Sequence, residues 1–387
     1  MILTNNKTTL NKIYIALLID GLCVSSANVI LPLLREQFNL QYSFTGLLLA
    51  FLSIGNLASA LLCGILAPKL GMKKTTLLFI CGMFLGYGFL LATGLTTFTG
   101  INGILLLGFL LIGLAKGASM NNGVVLAGNL SQDKTKSVNM INAMFALGCM
   151  ISPFLYQLAS NKSFPWWMPL GFLAIAGIIL WLIFFSIKNY ENNQKKDNNT
   201  FSDNTWTFLK EKHFWISTAL LFGQQCAEIS VTGWLVTYYK DQGLLTGALS
   251  EYTVTIIWFA MLTARLFIVF FLPADKSRNS LVYMSIASII TYILMLCASS
   301  GITAIISLFL FGLSIAGVYP TAIAQASKGL SNSSVGIQLP IAGIGAIIMP
   351  YITGAVAQSV GIKGGMACSI AALVFMLIFA VLFQKNR

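Results

Sequence analysis

The sequence predicts an all-α polytopic membrane protein, with twelve transmembrane helices in two pseudo-symmetric six-helix bundles. Three observations carry that prediction. Hydrophobic types make up 57% of the 387 residues and charged types only 9%, whereas a soluble domain is about a quarter charged. So little charge cannot cover a surface that faces water all round. Mean hydropathy is +0.83, and apolar runs long enough to cross a hydrocarbon core of about 30 Å succeed one another along the chain. The basic residues, finally, fall in alternate loops, as the positive-inside rule requires.

The spans read in order as 12–34, 43–67, 75–95, 101–130, 137–160 and 166–187, then 213–239, 250–272, 279–299, 302–328, 334–358 and 364–384. Loops are short except 188–212, a stretch rich in Asn and Lys and poor in aliphatics. It reads as a cytoplasmic linker. The organisation predicted is therefore an N-terminal bundle, 1–187, a linker, 188–212, and a C-terminal bundle, 213–387. With the N-terminus inside, cytoplasmic segments hold 17 of the 23 basic residues and external segments only Arg35, Lys162, Lys240 and Lys363. Lys116 and Arg265 lie inside spans. The bias predicts a multi-pass protein of the cell (inner or plasma) membrane with both termini cytoplasmic. The same placement explains the net charge of +12 without nucleic acid. All seven cysteines sit in apolar runs without CxxC pairs, and the lone His213 starts a span. Neither a metal site nor a cofactor is expected, and no phosphate loop or nucleophile elbow suggests an enzyme.

Charge at mid-bilayer costs roughly 2.5–3.5 kcal/mol on insertion scales, so charged residues in spans mark function or a partner. Asp20 lies in the first span, Lys116 at the centre of the fourth, Glu228 in the seventh and Arg265 in the eighth. Asp20 and Glu228 begin the two halves in equivalent spans. Burial favours a neutral carboxyl and a nearby cation favours a charged one, so such a pair makes a proton switch. Asp20, Glu228 and Lys116 are the proton-coupling candidates, with Asp20 expected to pair with Lys116; a static ion pair that fixes helix packing is the plainer alternative. Gln224 and Gln225, one turn before Glu228, share its helix face, and Thr232 continues it. Such a stripe is expected to line an aqueous cavity.

Other polar residues in spans are Asn28, Asn121, Asn122, Asn142, Tyr319, Gln325 and Gln338. Except for Gln325, they join Gln224, Gln225 and Trp234 as substrate-binding candidates; hydrogen bonding between helices would explain them equally. Trp234 and Trp258 offer faces on which a sugar can stack, or serve as interface anchors, the reading preferred for Trp166 and Trp167. Arg265, nearer a span end, is expected to gate. The Gly113-Leu-Ala-Lys-Gly117 spacing permits close helix approach.

With these residues in view, the chain resembles the major facilitator superfamily over essentially its full length. Gly64, Lys69, Gly71, Lys73 and Lys74 match that family's signature loop between spans two and three, with Pro68 in place of the usual acid. The resemblance implies that this loop gates, that spans one, four, seven and ten line a central cavity, and that transport proceeds by alternating access. Three segments look like the fucose–proton symporter and glucose/galactose transporter branch: Ala227–Tyr238, Val138–Gly148 followed by Pro153, and Trp258–Arg265. Asn142 stands where that branch has His and Ala264 where it has Gly. In the fourth span the branch's acidic residue is missing, and Lys116 is nearby. The expectation is a monomeric, proton-coupled transporter of a small polar solute, a sugar first. Lys116 leaves a carboxylate-bearing metabolite open, and sodium stays open as the coupling ion. An exporter on the same fold is the rival; a transport-dead sensor is a remote one.

Overall fold

The computed structural model describes residues 2–96, 100–131, 134–161, 164–187, 208–271, 277–326 and 332–385. Most of the 188–212 linker and the short connection 272–276 between the eighth and ninth spans lie outside the described residues. The described chain is helical throughout: α1 (Ile2–Phe38), α2 (Tyr42–Leu70), α3 (Met72–Leu95), α4 (Ile101–Leu130), α5 (Lys134–Asn161), α6 (Met168–Ser186), α7 (Lys212–Asp241), α8 (Ala248–Phe271), α9 (Ser277–Leu296), α10 (Gly301–Ile315), α11 (Val318–Ala326), α12 (Asn332–Gly343) and α13 (Gly345–Lys385).

These elements are consistent with twelve spans once the interruptions are read physically. The predicted tenth span is divided into α10 and α11. Its start is fixed by Ser300, whose hydroxyl accepts from the Thr303 amide while the Thr303 hydroxyl accepts from the Ser300 amide, a reciprocal cap that satisfies two otherwise orphaned donors. The predicted eleventh and twelfth spans run into one another in α13, which is broken at Gly361, φ 81° and ψ 165°. Only glycine adopts that backbone without strain. Nine stretches of the described residues are long and apolar enough to cross a membrane.

The burial pattern is that of a membrane protein. On α6, Ile175, Ile178, Ile179 and Leu182 are exposed at one helical spacing; on α9, Ile286, Ile290, Ile293 and Leu294 do the same. Bands of exposed aliphatics on helices of both halves of the chain suit lipid and would drive aggregation in water.

The chain divides into two compact units. The first comprises residues 1–37 and 48–195. In it α3 packs on α4 and α6, and α4 on α5. The Gly113/Gly117 spacing does what close approach requires. A side chain at Gly113 would meet the Leu52 carbonyl at 2.0 Å, and one at Gly117 the Asn56 carbonyl at 2.3 Å, so α4 lies backbone to backbone against α2. The second unit comprises residues 38–47 and 196–387. Its centre is α7, buried on most of its surface and packed against α13, α12, α8 and α11. The turn between α1 and α2, with Asn39 in the left-handed region (φ 49°), thus belongs with the second unit.

Candidate functional site

In the first unit, Asp20 on α1 is wholly buried. Neither of its carboxylate oxygens has a hydrogen-bond partner among the described residues. Lys116 acts on it electrostatically from α4, with Ser119 beside it; the Ser119 hydroxyl itself donates to the Lys116 carbonyl at 3.1 Å. The two residues expected to pair are thus neighbours, and their interaction is a through-space attraction. Around them α1 is bolted to α5. The Tyr14 hydroxyl donates to Ser137 Oγ at 3.2 Å and the Ser152 hydroxyl to Ser25 Oγ at 3.0 Å. The Tyr87 hydroxyl donates to the Cys23 carbonyl, which ties α3 to the same part of α1.

The other first-unit candidates are scattered. Asn122 is buried, and its amide donates to Thr76 Oγ1 at 2.7 Å and to Cys63 Sγ at 3.7 Å. Asn28 and Asn142 are half-buried, and Asn121 is exposed. In the signature loop, Gly64, Lys69 and Lys74 are exposed, and a side chain at Gly64 would meet nothing within 4 Å. Gly71 takes φ 86° between α2 and α3. Lys73 reaches the end of α6, donating to the carbonyls of Phe185 at 2.8 Å and Ile187 at 3.0 Å, with its ammonium over the Phe185 ring. A cation on the last carbonyls of a helix satisfies orphaned acceptors and complements the helix dipole.

In the second unit five of the candidates converge. Glu228 on α7 accepts from the Gln224 side-chain amide one turn earlier. Its other oxygen lies 4.0 Å from the Arg265 guanidinium on α8, with the two side chains 12% and 25% exposed. Tyr319 from α11 faces Gln225, Glu228 and Arg265. The Thr232 hydroxyl donates to the Glu228 carbonyl at 2.8 Å, which turns it back onto its own helix. The carboxylate therefore sits between an amide donor and a guanidinium, with a phenol opposite. Such an arrangement holds charge within an apolar bundle and offers adjacent donors and acceptors to a polar ligand.

Two candidates lie apart from that cluster. Gln338 on α12 is fully buried and donates to Ser217 Oγ at 2.6 Å. Trp234 is fully buried, and its indole N–H donates to the Pro350 carbonyl at 3.0 Å. Trp258 is half-buried. Sequence reasoning missed the surroundings of Trp234. Tyr42 stands 6.2 Å from its ring and hydrogen bonds to Asp241 and Gln358. No local signal marks these residues, because they come from three distant stretches of chain.

Comparison with known proteins decides the family. The Major Facilitator Superfamily description matches residues 13–339. The chain belongs to the Major Facilitator Superfamily. It is accordingly a multi-pass membrane transporter of small-molecule substrates and not an enzyme. Among curated proteins it is 22% identical to Bypass of stop codon protein 6 of Saccharomyces cerevisiae (strain ATCC 204508 / S288c), over 90% of this chain and 77% of that protein. Among solved structures, a mutant of the nucleoside transporter NupG superposes with a TM-score of 0.76 at 17% identity, covering 97% of this chain and 99% of that one. A bacterial homolog of the human lysosomal transporter Spinster, inward-facing and occupied, gives 0.74 at 11% identity, covering 98% and 97%. At these identities the structural likeness speaks for the fold.

Proposed function

We propose that the chain is a proton-coupled secondary transporter of a small polar solute, a sugar first, working by alternating access between its two halves, 1–187 and 213–387. The observation that carries this reading is the convergence of Gln224, Gln225, Glu228, Arg265 and Tyr319 within one apolar unit. Glu228 and Arg265 cancel each other's charge, which suits a neutral, hydroxyl-bearing solute better than an anion. A nucleoside, the solute named for NupG, carries the same sugar hydroxyls and belongs in the same test. Coupling is assigned to Asp20 and Glu228, one carboxylate in the first span of each half, with Lys116 as the cation that competes for Asp20. Arg265 and the 64–74 loop are assigned to gating. The protein is placed as a monomer in the cell membrane with both termini cytoplasmic, as the loop charges favour.

The reading is tested in proteoliposomes with an imposed pH gradient. Asp20→Asn and Glu228→Gln are each expected to abolish gradient-driven uptake while sparing counterflow exchange. Full gradient-driven uptake in both variants overturns proton coupling through these residues. Dependence on a sodium gradient alone would replace the proton with sodium. Ligand identity comes from a thermal-shift screen of sugars, nucleosides and carboxylates, because a ligand bound only by the folded state raises the melting temperature by mass action. Stabilisation by carboxylates alone would overturn the neutral-solute reading.

A further inference from the structure

The last turn of α6 collects cations from two other helices. Lys12 of α1 donates to Ser186 Oγ at 3.0 Å. Lys73 of α3 donates to the carbonyls of Phe185 at 2.8 Å and Ile187 at 3.0 Å. Two ammonium groups thus rest on three consecutive residues. The negative end of a helix dipole is worth about half an elementary charge, so the pair leaves this turn net positive. Lys69 and Lys74, on the neighbouring ends of α2 and α3, are exposed. The stretch 64–74 holds no acidic residue, and no carboxylate occurs among the described residues at this end of the first unit.

Next to the lysines the surface is apolar. The Lys73 ammonium stands 5.2 Å from the centre of the Phe185 ring. That ring stacks on Trp181, with centroids 5.2 Å apart and planes at 12°. The Trp181 indole N–H donates to the Leu77 carbonyl at 3.1 Å, which fixes the stacked pair against α3. Phe185 continues an exposed ridge of Leu182, Ile178 and Ile175 along α6, at the spacing of one helix face. The loop charges favour the cytoplasm for this end. A pair of held cations at the head of an exposed apolar ridge matches the form of a phospholipid, a charged headgroup on apolar chains. A zwitterionic lipid would suit the ridge and leave the positive charge uncompensated. A soluble acidic partner would meet the charge and not the ridge.

We propose that the end of α6, with Lys12 and Lys73, is a binding site for an anionic phospholipid, its phosphate held by the two ammonium groups and an acyl chain lying along Phe185, Leu182 and Ile178. The bound lipid completes the charge of the turn and joins α1, α3 and α6 at the membrane surface. The site depends neither on proton coupling nor on the choice of solute.

The test is native mass spectrometry of the full-length protein in detergent, titrated with phosphatidylglycerol and, separately, with phosphatidylcholine. Phosphatidylglycerol is expected to be retained in preference. Lys12→Gln and Lys73→Gln are each expected to weaken its binding about fivefold, the share of one basic residue at a lipid surface, and to leave phosphatidylcholine binding unchanged. Lys73→Arg, which keeps the charge, is expected to keep the lipid. Lys363→Gln, at an exposed position on α13, is expected to change nothing. Should Lys73→Gln elute as aggregate on size exclusion, Lys12→Gln, which loses one exposed bond, carries the same test. Equal retention of the two lipids would show a general apolar coat and overturn the site. So would an equal loss in Lys363→Gln, which would mean diffuse attraction to a basic protein, or undiminished binding in the folded Lys12→Gln and Lys73→Gln proteins. Thermal unfolding separates the sources of phosphate. The melting temperature is expected to rise with phosphatidylglycerol and not with inorganic phosphate, since only what binds the folded state stabilises it. Equal stabilisation by inorganic phosphate would replace the lipid with a soluble anion and overturn the proposal.

Discussion

Asp20 and Glu228 are acidic residues in apolar helices, at equivalent places in the two halves, yet their surroundings differ. Glu228 has a donor on one oxygen and a guanidinium near the other; Asp20 has Lys116 and Ser119 near it and, among the described residues, no donor in hydrogen-bonding geometry. Deleting one partner of a fully buried ion pair costs about 3–5 kcal/mol, because the other charge is stranded. Glu228 and Arg265 retain some exposure and sit at the outer limit of pairing distance. Glu228→Gln is therefore expected to cost less, about 2 kcal/mol, with Glu228→Gln plus Arg265→Gln recovering much of it. Thermal unfolding of the double-mutant cycle checks this; additive losses would mean no coupling. The Gln224-to-Glu228 contact was legible in the sequence, being one helical turn. The Arg265 contact was not, since nothing in a single sequence tells which faces of α7 and α8 meet. Asn122 shows the same limit. Its rarity as an amide in a span was visible, but its two partners lie on other helices. Asn122→Ala is expected to lower stability by about 1 kcal/mol, near the range of such bonds between membrane helices, as thermal unfolding in detergent will show.

Among elements, the glycines of α2 and α4 separate two roles that look alike in sequence. Gly64 faces open space and Gly113 faces the Leu52 carbonyl. Gly64→Ala is expected to be neutral or to stabilise by up to about 1 kcal/mol, the helix propensity gained. Gly113→Ala forces α2 and α4 apart and is expected to cost about 1–3 kcal/mol, as overpacking does. Melting curves of the two purified variants give the comparison, and equal effects would contradict the close approach. The small-residue spacing at Gly113 was readable because its physics is local to one helix face. The reach of Lys73 to the end of α6 was not. The signature loop identified that lysine by type and spacing, while its acceptors lie more than a hundred residues away.

For the whole molecule, the helical fold was legible from composition, because the bilayer imposes length and polarity on every span. The break at Gly361 falls in the gap read between the eleventh and twelfth spans; what stayed hidden was the division of the tenth span into α10 and α11, and that the turn between α1 and α2 belongs with the second unit. Each unit carries its own buried core. Residues 1–190 and 205–387 produced as separate chains in one cell are therefore expected to associate and restore solute uptake, measured against either half alone. Failure to recover any uptake would mean that the 191–204 segment does more than connect.

The burial of α7 also bears on how the protein is made. α7 carries Lys212, Glu228, Lys240 and Asp241 and is not among the stretches apolar enough to cross a membrane by themselves. Its main packing partner, α13, begins 104 residues after α7 ends. At about 5–20 residues per second, the ribosome delivers that partner roughly 5–20 s later. During that interval α7 must be sheltered by the insertion machinery or by its nearer neighbour α8. A chain that stops before α13 leaves a helix with four charged residues without a home in the lipid, and such a product is marked for proteolysis by the same residues that equip the finished protein to carry a solute.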